Sequence, residues 1–123
     1  METINIKLVI AHLLNEFRQS KDLKKVATDY PKNWVELPIA IYRTKSEPNF
    51  IDADNNELQT KWNVTIELYS DKGLTDVTER IIKRFGDVGI RLSKKDGNTA
   101  DLKRIILESQ FIVDNTLKII YEK

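Results

Sequence analysis

The stretch Leu58 to Ser70, LQTKWNVTIELYS, alternates apolar and polar residues with a clean period of two. Trp62, Val64, Ile66 and Leu68 fall on one side, and Asn63, Thr65, Glu67 and Tyr69 on the other. That period belongs to a β-strand. A strand with one apolar side needs neighbouring strands and a covering layer, which constrains the rest of the chain. The segment before it, LPIAIYRTKSEPNF, reads as its partner, and IDADNNE as a polar tip between the two. Asp54, Asn55 and Asn56 suit a tight turn because they tolerate left-handed backbone. Leu37 to Ser70 is therefore expected to form one long β-hairpin.

A turn at 54–56 pairs odd residues of the first strand with even residues of the second. It places Ile41 near Leu68 with Ile39 beyond, and sets Arg43, Lys45 and Glu47 opposite Ile66, Val64 and Trp62. The base of the hairpin is then apolar on both strands, whereas the first strand turns polar toward the tip. Two accounts stay open. The stems of Arg43 and Lys45 cover Val64 and Trp62 by snorkelling or cation–π contact, or the distal part projects and meets a neighbouring subunit. Pro48 interrupts a ladder, which suits a loop or an edge strand.

The covering layer is legible on either side of the hairpin. Ile6, Val9, Ile10, Leu13, Leu14 and Phe17 repeat at helical spacing, predicting a helix from residue 3 to about 18 with Thr3 as N-cap. Leu74, Val77, Ile81 and Phe85, widened by Ile82, predict a second helix over Asp71–Phe85, stopped by Gly86. Between the first helix and the hairpin, residues 24–30 read as a short strand. Tyr30-Pro31 begins a turn, and Trp34 pins the connection to the domain. Ile90 and Leu92 open another short strand, and Ser93 to Asn98 reads as a flexible loop. Ile105, Leu107, Phe111 and Val113 share one face of a strand from Lys103 to Val113. A helix through Thr99, Leu102, Ile105 and Ile106 competes with it. Asp114-Asn115 makes a turn into a last strand with Leu117, Ile119 and Tyr121 on one face.

Strands joined by short turns argue antiparallel pairing, and two amphipathic helices argue one covered face. The expected fold is α+β: two layers, a mostly antiparallel sheet covered on one face by two helices, with a long hairpin arm. Its 123 residues fit a single domain, 1–123, large enough for one modest core. No apolar run approaches the ~20 residues that span a bilayer. The apolar start lacks a basic leader and a small-residue cleavage site, so it reads as helix and not as a signal peptide. The absence of cysteine removes disulfides and thiolate chemistry, and it suits a cytoplasmic folding environment. Twenty basic residues against 19 acidic ones leave a net charge of +1, which attracts neither nucleic acid nor an anionic membrane strongly. Balanced charge of this kind fits a surface that meets other proteins.

Catalytic and metal motifs fail on inspection. Asp52, Asp54 and Asn56 resemble the start of a calcium loop, but Glu57 stands where that loop needs Gly and Asn63 where it needs a bidentate Glu. Turn chemistry explains these residues without a metal. His12, the single histidine, lies on the flank of the first helix with no second ligand. Lys94-Lys95-Asp96-Gly97-Asn98 lacks phosphate-loop spacing. The chain is expected to be a non-enzyme without cofactor or metal.

The order of elements carries a resemblance. An N-terminal helix, an irregular segment, LPIAIY, a loop, WNVTIELYS, the helix TDVTERIIKRFGDVG and the terminal hairpin IILESQFIVDNTLKIIYEK follow one another along nearly the whole chain. This succession resembles the tail terminator and tail-completion (head–tail joining) proteins of long-tailed siphophages. The resemblance implies a virion subunit, made in the host cytoplasm, that forms a ring, commonly a hexamer, at the head-proximal end of the tail. Such a ring caps the last ring of the major tail-tube protein, stops its polymerisation and offers a docking surface to the head connector. Another phage neck or minor tail component, or a small ligand-binding or enzymatic α+β domain, are the alternatives. Beside the resemblance, the residues themselves point to the distal hairpin as a contact arm: Arg43, Lys45, Glu47, Phe50, Asp52, Asp54, Glu57 and Trp62.

Overall fold

The structure, a computed structural model, describes residues 4–122. Its elements follow in the order α1 (Ile6–Gln19), β1 (Lys25–Ala27), β2 (Ile39–Ile51), β3 (Glu57–Ser70), α2 (Thr75–Asp87), β4 (Ser93–Asp96), β5 (Lys103–Asp114) and β6 (Ile119–Glu122). The six strands form one sheet in the order β1-β2-β3-β5-β4, and β6 also pairs with β5. All neighbours are antiparallel except β1 and β2. The fold is the expected α+β arrangement, with one parallel pair at an edge.

Helix α1 begins two residues after the described chain does. Asn5 is its N-cap, its side chain accepting from the Leu8 amide, and the expected cap Thr3 lies outside the described residues. Ile6, Ile10, Leu13 and Leu14 are buried, as their spacing requires. Helix α2 buries Val77, Thr78, Ile81 and Phe85. It runs past the expected stop, and Gly86 lies inside its last turn. Gly89 closes the helix instead, at φ 90°, while the Ile90 amide bonds back to the Phe85 carbonyl. Both helices lie on one face of the sheet. They share a core with Ala40 and Tyr42 of β2, Trp62, Val64, Ile66 and Leu68 of β3, and Leu107, Phe111 and Val113 of β5.

The hairpin register differs from the expectation by one residue. Ala40 stands opposite Leu68, Tyr42 opposite Ile66, Thr44 opposite Val64 and Ser46 opposite Trp62. Even residues of β2 therefore share the covered face with the apolar residues of β3. Ile39, Ile41, Arg43, Lys45 and Glu47 turn to the other face, opposite Tyr69, Glu67, Thr65, Asn63 and Lys61. The tip sets this parity: Ile51 pairs with Glu57 across the five residues 52–56, so odd residues of β2 stand opposite odd residues of β3. Asn49 on β2 and Leu58 on β3 are each left over beside the Phe50–Gln59 pair, and these two one-residue shifts cancel.

Three smaller differences follow from burial. The strand expected at 24–30 shrinks to Lys25–Ala27. Ile90 and Leu92 are core residues on irregular backbone, and the strand starts after them, over the segment expected to be a loop. Strand β5, by contrast, forms over Lys103–Asp114 as its alternation predicts, in place of the competing helix. Leu117 lies in the turn before β6, and Ile119 and Tyr121 are exposed; Ile120 packs toward the core.

Candidate interaction surface

The helices leave the second face of the sheet uncovered, and the odd residues of β2 from Ile39 to Glu47 point to it. At the base of this face a small cluster forms from Ile39, Ile41 and Tyr69, with Ala27, Trp34, Leu37 and Leu102 packed around it. The Trp34 ring lies 4.7 Å from that of Tyr69 and 6.3 Å from that of Tyr30. Trp34 thus fastens the β1–β2 connection to the sheet.

Beside this cluster sits Glu67, 7% exposed in the middle of β3. A buried carboxylate needs partners. The Tyr30 hydroxyl donates to Glu67 Oε2 at 2.8 Å and Arg43 Nη1 donates to the same oxygen at 3.2 Å. Arg104 Nη1 lies 3.8 Å from Oε1. The Arg43 guanidinium also sits 4.8 Å over the Tyr30 ring. Glu67, as acceptor, raises the Tyr30 hydroxyl above its ordinary pKa, and Tyr30 and then Glu67 hold Arg43 more firmly protonated. Tyr30, Glu67 and Arg104 were not singled out from the sequence. Glu67 occupies an ordinary polar position in the alternation, and only the register shows that Arg43 and Arg104 flank it.

The arm residues separate into three groups. Lys45, Glu47 and Phe50 are exposed on β2, and Glu47 meets Lys61 across the hairpin at 3.6 Å. At the tip, Asp52 Oδ1 accepts from the amides of Asp54 and Asn56 at 2.9 Å, and Asn55 takes φ 63°. The Asn56 amide, chiefly, holds the Asp52 carboxyl below its ordinary pKa. This is turn chemistry. Asp54 is exposed, and Glu57 is half-buried against the Thr60 hydroxyl. Trp62 belongs to neither the exposed arm nor the uncovered face. It is 8% exposed in the core, so the expected juxtaposition with Arg43 and Lys45 is corrected, and their stems do not cover it.

The opposite edge carries a second apolar group. Leu117, Ile119 and Tyr121 are exposed on the β5–β6 turn and β6, and Phe50 and Ile51 on β2. Phe50 stands opposite Gln59, Gln59 opposite Asp114, and Asp114 opposite Ile119. The two groups thus flank the same end of the sheet, three strand spacings or about 14 Å apart. Asn115 builds this end. Its buried side chain accepts from the Ile4 amide at 3.0 Å and donates to the Glu57 carbonyl at 3.1 Å and the Thr60 hydroxyl at 2.9 Å.

Among the described residues, no group of three or more His, Cys, Asp or Glu side chains is placed to hold a metal ion. No described helix is long and apolar enough to cross a membrane. No protein-family model matches the chain, and no curated protein is significantly similar to it.

Proposed function

We propose that the chain is a structural subunit of a long-tailed phage virion, assembling as a ring on the end of the tail tube. There it stops tube polymerisation and presents a surface to the head connector. One observation carries this reading beyond the order of elements: the two unlike apolar groups at opposite edges of one sheet. A ring is closed by heterologous contacts, in which one patch of each subunit meets a different patch of the next. Phe50 and Ile51 on one edge, and Leu117, Ile119 and Tyr121 on the other, supply such a pair. Both groups lie outside the core, so they are available to a neighbour without unfolding anything. The hexameric number comes from the resemblance alone.

The test mixes the chain with polymerising tail-tube protein and follows tube length and end structure by electron microscopy. Tubes should stop growing and carry a ring at one end. Phe50→Ser and Ile119→Ser should each abolish capping while leaving the melting temperature within a few degrees, because exposed substitutions change stability by about 0.5 kcal/mol or less. A chain that stays monomeric beside tube protein, with tube length unchanged, overturns the reading.

A further inference from the structure

We infer that the outer edge of β2 pairs with the same edge of a second copy of this chain, antiparallel about Ser46. Strand β1 covers β2 only as far as Ile41, so among the described residues the backbone edge from Tyr42 onward has no partner strand. Which groups face outward follows from two bonds. The Lys24 amide donates to the Pro38 carbonyl, so even residues of β2 aim their backbone groups toward β1 and, beyond it, at the open edge. The Asn115 amide donates to the Leu58 carbonyl, so even residues of β3 face β5 and odd ones face β2, which agrees. Thr44, Ser46 and Pro48 thus present the free edge. Pro48 falls where its missing N–H would otherwise point outward, so it costs the β2–β3 ladder nothing.

Charge selects the register. In an antiparallel pair, facing side chains sit about 4.5–5.5 Å apart, and like charges there repel. Pairing about Thr44 sets Arg43 against Lys45. Pairing about Lys45 sets it against its own copy, and pairing about Glu47 does the same with two carboxylates. Pairing about Pro48 opposes no like charges but makes no attractive charge contact, and its central pair has no N–H to donate. Pairing about Ser46 also opposes no like charges, and it sets Lys45 against Glu47 twice. Main-chain bonds then run between the two Ser46 residues and from each Thr44 amide to a Pro48 carbonyl. Lysine and proline on an edge discourage pairing with an arbitrary strand. Here the same residues admit one partner, the identical edge in one register. The contact rests on nothing in the ring reading. It adjoins Phe50 and Ile51, so a paired subunit has this side of its sheet occupied.

Sedimentation of the full chain alone, across a concentration series, tests it. The mass should rise from one chain to two. Lys45→Glu and Glu47→Lys should each weaken the pair roughly tenfold or more, since two attractive contacts become two repulsive ones. The double variant should restore it. Ser46→Pro, which removes only an outward N–H, should abolish it with the far-UV spectrum unchanged. A wild-type chain that stays monomeric throughout, an association indifferent to the single reversals, or a double variant that folds without regaining the pair overturns the proposal. None of these outcomes bears on tube capping, which is measured with tube protein present.

Discussion

Trp62 shows what one position decides. In the sequence it stands near the polar end of the hairpin, where it reads as an arm residue. In the fold it packs in the main core, paired across the sheet with Ser46 on one side and Phe111 on the other. Its indole Nε1 is buried and has no hydrogen-bond partner among the described residues, so its contribution comes from packing. Trp62→Ala should cost about 3–5 kcal/mol, read as a lower urea midpoint with the slope preserved. An unchanged midpoint would place the ring outside the core. Trp62→Phe should cost much less, since it keeps most of the apolar volume and removes the unpaired donor. Asn115 is the converse case. Its polar side chain is buried and fully used, joining the start of α1, the hairpin and the β5–β6 turn.

At the level of helices and strands, the two glycines after Phe85 separate propensity from conformation. Gly86 is helical, and a Cβ there meets nothing within 4 Å, so Gly86→Ala should raise stability by about 0.5–1 kcal/mol. Gly89 holds φ 90°, where an L side chain is strained, and Gly89→Ala should lower stability by about 1 kcal/mol or more. Thermal unfolding of the two variants reads the opposite signs directly. Both apolar helix stripes, the long hairpin and β5 were legible because each repeats its period over many residues. The helix stop was not, since Gly86 and Gly89 look alike without backbone angles. The hairpin faces are not legible either, because the polar tip does not show which pair closes it: a turn at 54–56 read as pairing odd with even residues gives one set of faces, and the observed Ile51–Glu57 pair gives the other. The expected register sets Arg43 opposite Ile66 on the covered face, whereas Arg43 lies on the other face and serves Glu67 and Tyr30. Strand β4, SKKD, was hidden because all four of its residues are exposed and it follows its apolar residues instead of containing them.

Across the molecule, two ion pairs bind the first helical unit to the second. Arg80 donates to both Asp22 carboxylate oxygens at 2.8 Å, and Arg84 to those of Glu16 at 3.0 and 3.2 Å. Each arginine holds its carboxyl below the ordinary value, which is 3.8 for Asp22 and 4.5 for Glu16. A carboxyl whose pKa is lower folded than unfolded adds stability above the unfolded value. That stability is lost as pH falls through the folded one. The melting temperature should therefore hold level from pH 8 to about 5 and decline below about 4.5, more gently in 1 M salt because these pairs are exposed. The combined variant Glu16→Gln with Asp22→Asn should flatten that decline. If the variant's acid decline is as steep as that of the parent chain, the pairs do not carry it.

The bulges at Asn49 and Leu58 have a meaning for how such a chain can vary through descent. Each works like a shift of reading frame inside its strand, and the two cancel. Insertions within the Asp52–Asn56 tip change only the length of a loop. Loss of Asn49, which has no partner on β3, would leave Pro48 opposite Thr60 and Ser46 opposite Trp62 as they stand, whereas loss of one residue between Ile39 and Glu47 would send the residues on one side of it to the opposite face. Length drift in this hairpin is therefore absorbed at its tip and its bulges, and elsewhere must come as paired changes that cancel.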